Sequence, residues 1–421
     1  MLSLVSGRMT CLLFAIAAVM LAAQASGVPA DDKLLVRSMA FLDPDVLLVF
    51  AIEPGAGGKL IDRPAWLYTF RPSVQEIHVL AQGKEVRPGY NCGVPNIWWS
   101  DCRLTYVLTS QGEAKCLMEQ SATQHGGIIG AFPDKSFLLG WEERYRPARI
   151  PGLSVAAAYV GLGSWYPPGT TISCEYVLWN SQTLERVAGF PLQEGTLSIR
   201  EVSPLFGENL DMFLAAGRVI NEDSGMPWKL LLFSLNPFGI LGECLAPGER
   251  VRFFRGRTPA EVVIGSRSGR GVSFCRATYD ARDEIQPFRI EEFDTIPLPG
   301  DQVAHFEWRN GLKFFGAQGP NRIEIGAQGS STPNGEVKLD NCDPSQFTVT
   351  DDGGTMIAWC GNRFSLWQVK LPNVLPVTAW RIVEEADNVL RVVADDNAEP
   401  GGRGGLPNRS DISTGTLIAG H

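Results

Sequence analysis

An all-β fold built from a repeated four-stranded unit, a β-propeller, is what this sequence predicts, on three observations. The first is the stretch Cys342–Val369, CDPSQFTVTDDGGTMIAWCGNRFSLWQV. Phe347 and Val349 alternate before a turn at Asp351–Gly354, Met356–Trp359 follows, and a Gly361-Asn362 turn leads into Phe364–Val369. Gly and Asn supply the positive φ of tight turns, and β-branched and aromatic residues suit a pleated, half-buried surface. The second is that similar runs recur along the chain, the sign of a repeat architecture with units of roughly 40–50 residues. The third is a hydrophobic content of 44% with 11 Trp, which excludes a disordered chain and allows a sizeable core.

Seven units can be laid out in order. The first runs from Lys33 to Glu85, with strands at Val46–Ile52, Trp66–Phe70 and Glu76–Leu80. The second holds Ile97–Trp99, Leu104–Thr109 and Lys115–Glu119, and the third Ser136–Trp141, Ile172–Trp179 and Arg186–Phe190. Leu197–Val202, Met212–Val219, Trp228–Leu235 and Ile240–Leu245 make the fourth. Val251–Phe254, Glu261–Ser266, Val272–Thr278 and Pro287–Glu292 make the fifth. Val303–Trp308, Leu312–Ala317, Arg322–Gly326 and Glu336–Leu339 form the sixth, and Cys342–Val369 with Val377–Val383 the seventh. The units match one another unevenly, so six or eight blades also fit. Val389–Val393 is left over and is expected to complete the first blade, joining the chain ends so that no long edge stays exposed. No helix is expected beyond the N-terminal segment, apart from one short turn in Leu153–Val160.

Within the opening stretch, FTVTDDGGTMIAW resembles the "S-P-D-G, then apolar strand" signature of TolB-like and WD-type propeller blades. Trp98–Val107, WWSDCRLTYV, resembles the same signature, with Cys102 where Gly would stand. The resemblance covers a small part of the 421 residues; no Trp-Asp dipeptide closes any blade, and most turns lack Asp-Gly. It implies a divergent bacterial, exported propeller, and it speaks to fold rather than activity.

Residues 1–25 read as a secretory signal. Arg8 gives a positive start, Cys11–Ala23 is apolar, and Ala23-Gln24-Ala25 has the small-x-small form of a cleavage site. The apolar run falls short of the roughly 20 residues a membrane span needs. Cleavage near Ala25 places the mature chain in the periplasm or outside the cell, with no later span. Residues 26–394 would form the propeller and Asp395–His421, carrying GGRGG at Gly401–Gly405, a flexible tail.

The net charge is −9, with no basic block, which argues against nucleic acid or anionic lipid as partner. Of the nine Cys, Cys11 lies in the signal, and the remaining even number in an exported chain favours disulfides. Cys342 and Cys360 flank two strands that fold back on each other, and Cys92 and Cys102 bracket Ile97-Trp98-Trp99. Cys244–Cys275 and Cys116–Cys174 follow by elimination. A zinc site finds no support, because no C-x-x-C pair exists and only four His are scattered along the chain. No metal or other cofactor is expected.

Catalytic patterns are missing from the sequence. Gly265–Gly269 has Arg267 where a nucleophile elbow needs Ser. Gly55–Lys59 lacks the first Gly of a phosphate loop, Glu53 standing there, and Leu60 replaces its hydroxyl. His305 sits inside a predicted strand and reads as a strand residue rather than a base, whereas His125 is the best-placed loop His. Adjacent acids such as Glu291-Glu292 would point to opposite faces of a strand. Asp43-Pro44-Asp45 and Asn221-Glu222-Asp223 could hold calcium in a loop but read more simply as solvated turn acids.

The longest interruption of the repeat is Trp141–Thr171, WEERYRPARIPGLSVAAAYVGLGSWYPPGTT. Long loops in compact domains are usually functional or disordered. This one combines Trp165 and Tyr166 with Arg144 and Arg146, residue types of interface hot spots. The expected function is therefore an exported module that binds or scaffolds a protein or glycan partner. The alternatives are a hydrolase or lyase with its site at the channel mouth, and the propeller subunit of a periplasmic redox enzyme. The oligomeric state is left open.

Overall fold

The computed structural model describes residues 34–394, except 54–64, 84–86, 89–97, 101–103, 109–113, 120–123, 133–136, 147–170, 192–196, 220–227 and shorter connections at 284–285, 297, 320, 340–341 and 386–388. Its strands fall into seven antiparallel sheets that follow one another along the chain. The first holds β1 (Leu35–Asp43), β2 (Val46–Ile52), β3 (Ala65–Arg71) and β4 (Glu76–Gly83). The second holds β5 (Arg87–Pro88), β6 (Trp98–Ser100), β7 (Leu104–Leu108) and β8 (Ala114–Glu119). Next come β9 (Gln124–Phe132), β10 (Phe137–Arg146), β11 (Thr171–Asn180) and β12 (Arg186–Pro191). The fourth sheet is β13 (Leu197–Val202), β14 (Met212–Val219), β15 (Lys229–Leu235) and β16 (Phe238–Leu245). The fifth is β17 (Glu249–Arg255), β18 (Glu261–Ser268), β19 (Gly271–Tyr279) and β20 (Phe288–Ile296). The sixth is β21 (Val303–Arg309), β22 (Leu312–Ala317), β23 (Arg322–Ala327) and β24 (Gly335–Lys338). The last is five-stranded: β25 (Phe347–Val349), β26 (Thr355–Cys360), β27 (Arg363–Lys370), β28 (Asn373–Glu385) and β29 (Val389–Ala394).

The first strands of successive sheets adjoin one another: β9 meets β13, β13 meets β17, β17 meets β21, β21 meets β25, and β25 meets β1. That is a ring of blades with the first strands innermost, the architecture of a β-propeller. Its hydrophobic cores lie between blades. Phe213 and Phe233 of the fourth blade stack at 4.8 Å and pack with Phe132 and Trp179 of the third. Phe254, Phe274 and Phe306 join the fifth blade to the sixth. Second strands have a neighbouring blade over each face, so both faces are dry. This is why β2 reads as the unbroken apolar run VLLVFAI, with all but its first residue buried. Outer strands such as β16 leave side chains in water and alternate.

Three inner strands, β1, β5 and β9, extend their blades beyond the three strands the sequence indicated for each. The leftover segment corrects an expectation. Val389–Ala394 pairs with Trp380–Glu385 of its own blade and does not complete the first, which already has four strands. A hairpin across residues 386–388 closes a far shorter loop than a return to the first blade, and short closure costs less entropy. The ring instead closes by side-chain packing. Phe70 meets Phe364 and Trp380 edge-on at 5.2 and 5.6 Å, and Val36 N–H donates to Gly361 C=O at 2.8 Å.

Among the described residues there is no α-helix, only one 3₁₀ turn at Gly300–Gln302. The short turn expected in Leu153–Val160 lies outside the described residues. No helix of the described residues is long and apolar enough to cross a membrane.

Cys342 and Cys360 form a disulfide with Cα atoms 5.4 Å apart. A second expectation is overturned: Cys244 and Cys275 are free thiols. Cys244 lies on the outermost strand of the fourth blade and Cys275 on the third strand of the fifth, where it is buried in the core between the two. Burial, aided by Glu292, pushes the Cys275 thiol up to about 11. Elimination failed here because a small apolar thiol can fill core space as any hydrophobe does. Cys92, Cys102, Cys116 and Cys174 fall outside what is described of side chains. Because Cys342–Cys360 closes a loop over 18 residues of sequence, replacing both by Ser should lower stability by about 3 kcal/mol. Chemical unfolding with and without reductant measures this, and an unchanged midpoint would deny the bridge a stabilising role.

Candidate functional site

Strand β21 sorts its residues by face, as a period of two requires. Phe306 and Trp308 enter the core between the fifth and sixth blades, while His305, Glu307 and Arg309 share the other face. Arg252 of β17 reaches this second face from the adjoining inner strand. Its Nη1 lies 2.9 Å from His305 Nδ1, 3.0 Å from Nε2, and donates to Phe306 C=O at 3.1 Å. His305 Nε2 is 3.3 Å from Glu307 Oε1, and the Phe347 ring of the seventh blade covers the imidazole edge-on at 4.7 Å. Arg309 Nη2 stands 2.9 Å from Glu307 Oε2, a close ion pair without hydrogen-bond alignment.

Charge state follows from these contacts. Burial pushes the Glu307 carboxyl up, but the Arg309 guanidinium, the His305 hydrogen bond and nearby Arg252 outweigh it and hold the group at about 2. Burial and then the positive charge of Arg252 hold His305 below the ordinary imidazole range, against the opposing pull of Glu307. A neutral imidazole that accepts from Arg252 at Nδ1 and donates from Nε2 to Glu307 satisfies both neighbours. The array is a buried carboxylate between guanidinium and imidazole, and neither group changes protonation near neutral pH. It ties three blades together.

The array continues outward to the rim. Arg309 ends its inner strand, spreads its guanidinium over the Phe254 ring at 5.5 Å, and lies 3.6 Å from Asp351 of the seventh blade. Arg255, which ends β17, lies 3.7 Å from the same carboxylate. The turn that carries Asp351 is built as the sequence indicated. Asp352 Oδ1 accepts from Thr350 Oγ1 at 2.6 Å and from Gly354 N–H at 2.9 Å, and Gly353 takes φ +73°. Only Gly adopts that φ without steric cost, and Gly353 also sits directly on Arg309 backbone.

Among the residues singled out from sequence, Arg144 and Arg146 are not in a loop. They lie on β10, where Arg144 pairs with Ser173 and Arg146 with Thr171. The expected loop Trp141–Thr171 is thus partly ladder, and the connection proper spans 147–170. Trp165 and Tyr166 lie outside the described residues, as do the side chains of Arg144 and Arg146. His305 is a strand residue, as expected. Asp45 is a turn acid that accepts from Ser73 N–H at 3.0 Å. Among the described residues, no group of three or more His, Cys, Asp or Glu is placed to hold a metal. The charged array itself was missed as a unit. Its signal was the alternation His305-Phe306-Glu307-Trp308-Arg309, which marks a charged face on an otherwise apolar strand.

The fold and this array define a β-propeller with a charged seam between inner strands. No family model and no curated protein matches the chain. Among solved structures it is similar to Kuenenia stuttgartiensis hydrazine synthase, at 10% identity over 88% of this chain and 98% of that one, with a TM-score of 0.46. It is similar to an oligogalacturonate lyase in complex with manganese, at 12% identity over 80% and 90% of the two chains, TM-score 0.47. A third similarity is to the Myceliophteria thermophila Cps50 (Swd1) β-propeller domain, at 9% identity over 82% and 98%, TM-score 0.44.

Proposed function

We propose that this chain is an exported propeller that captures a protein or glycan partner through the segment joining β10 to β11. One observation carries the reading. The β10–β11 ladder pairs ten residues without irregularity, from Phe137 with Asn180 to Arg146 with Thr171. The corresponding ladders of the first and sixth blades pair six each. At roughly 3.4 Å per residue, the extra pairs lengthen the ribbon by about 14 Å. A longer ribbon gives residues 147–170 a firm base, and scaffold-borne loops of that size often carry function. Arg144 and Arg146 belong to the ribbon, and Trp165 and Tyr166 to the segment it carries. Pro147, Pro151, Pro167 and Pro168 restrict that segment and lower the entropic cost of binding. The closed charge state of the His305–Glu307 seam fits a rigid support better than a catalytic centre.

Protein taken from the native envelope, expected to begin near Ser26 by mass spectrometry, provides the test. Replacing Trp165 and Tyr166 by Ala should abolish partner capture and leave the melting temperature unchanged. A lowered melting temperature with capture retained would make the segment a structural plug. Turnover of a carbohydrate or peptide substrate by the purified chain would replace binding with catalysis.

A further inference from the structure

The opposite end of the blades from the β10–β11 connection, where inner strands turn into second strands, carries a charged rim of its own. Three such turns, from the fifth, sixth and seventh blades, are fitted together there. The Arg257 guanidinium covers Gly311, where a β-carbon would otherwise stand, and Asn310 Nδ2 donates to Asp352 C=O at 3.4 Å. Between the turns, Asp351 faces Arg255 at 3.7 Å and Arg309 at 3.6 Å.

These two contacts differ from the other ion pairs of the seam. Charge-assisted hydrogen bonds close to roughly 2.7–2.9 Å, and Arg309 reaches that distance with Glu307 beneath it. Asp351 does not, and its side chain is 70% exposed. Nor does its turn require it, because Asp352 makes the turn's side-chain bonds. Arg309, by contrast, is only 15% exposed and is held by Glu307 and the Phe254 ring. The rim therefore presents an oriented guanidinium and a second, half-exposed one, shared by a carboxylate that is loosely held and replaceable.

We propose that Arg255 and Arg309 form a clamp for the side-chain carboxylate of an acidic segment on a partner polypeptide, and that Asp351 is its internal placeholder. The occupant already present is an Asp side chain on a polypeptide turn, so an Asp or Glu of another chain meets the same geometry. A carboxylate that approached unconstrained would accept paired N–H donors from the fork of Arg309. Displaced Asp351 would move into water, where its exposure already places most of it.

The test uses the mature chain and a fluorescent deca-glutamate peptide, followed by anisotropy at low ionic strength. Asp351→Asn removes the competitor and should tighten binding about tenfold, and Arg255→Gln should weaken it about tenfold, the scale of one charge-assisted contact. Asp352→Asn removes the same charge one residue away, keeps the turn's oxygen acceptor, and should change nothing. Affinity should fall with added salt, and replacement of Trp165 and Tyr166 should leave it unchanged, separating this site from the proposed capture segment. The clamp is overturned if the Asp351 variant binds no more tightly than the parent, or if Asp352→Asn tightens binding equally, which would reduce the effect to general charge. Equal competition by inorganic phosphate would likewise overturn it in favour of an unselective anion site.

Discussion

Asp294→Ala should cost about 3–5 kcal/mol of stability, the largest loss expected from any single charged side chain of this protein. Lys313 and Asp294 form an ion pair at 2.7 Å with side chains only 2% and 4% exposed. The pair crosses a blade boundary, since Asp294 belongs to β20 and Lys313 to β22. Further bonds hold both partners: Lys313 Nζ also donates to Thr295 C=O at 2.8 Å, and Thr295 N–H and Gly329 N–H donate to the Asp294 carboxylate at 2.8 and 3.1 Å. Removing the carboxylate leaves an ammonium in a dry inter-blade seam with one carbonyl for company. An uncompensated buried charge is what makes such a truncation severe. Adding Lys313→Met to Asp294→Ala removes the stranded charge and keeps the length, so the double variant should cost far less than Asp294→Ala alone. Denaturant unfolding of the two variants tests the argument, and equal losses would show that packing rather than charge sets the cost.

Acid should destabilise the fold through Glu307. Its carboxyl is held at about 2 in the folded chain, whereas an unfolded Glu titrates near 4.3. A carboxyl depressed by folding contributes stability that is complete above the unfolded value and is lost as pH falls toward the folded one. Between pH ~4.5 and ~2 this single group should remove about 3 kcal/mol. His305 acts in the same direction at higher pH. Its folded value lies below the ordinary imidazole range, so the unfolded chain takes up the proton first and stability declines as pH drops below about 6.5. Glu307→Gln should therefore lower stability at pH 7 and flatten its decline between pH ~4.5 and ~2. A variant with the parent's slope in that window would show that other carboxyls carry the acid response.

Some features were legible because they depend on neighbours in sequence. The Thr350–Thr355 turn was readable from Asp-Asp-Gly-Gly, since the αL conformation at Gly353 and the side-chain acceptor of Asp352 are local requirements. Runs such as Val46–Ile52 and Trp66–Phe70 were readable because a strand covered on both faces carries few polar residues. The bridge between Cys342 and Cys360 was readable from one hairpin. Strands β1 and β9 were harder, because inner strands are short of contacts in one direction and mix polar with apolar residues.

By itself, then, the sequence determined the all-β class, the repeat, most strand positions and the local disulfide, each of which follows from periodicity or turn chemistry within a few residues. Tertiary structure alone decided three other things. It put Val389–Ala394 in the last blade, where the short hairpin is the cheaper closure, and it left Cys244 and Cys275 on different sheets as thiols. It also brought Arg252, Arg255, Glu307, Arg309 and Asp351 together from three blades. The physical reason is common to all three. Strand formation is selected by local pattern, but which of several possible partners a strand edge, a thiol or a charged face meets is settled only as the blades pack into the ring, as for Arg252 and His305, 53 residues apart.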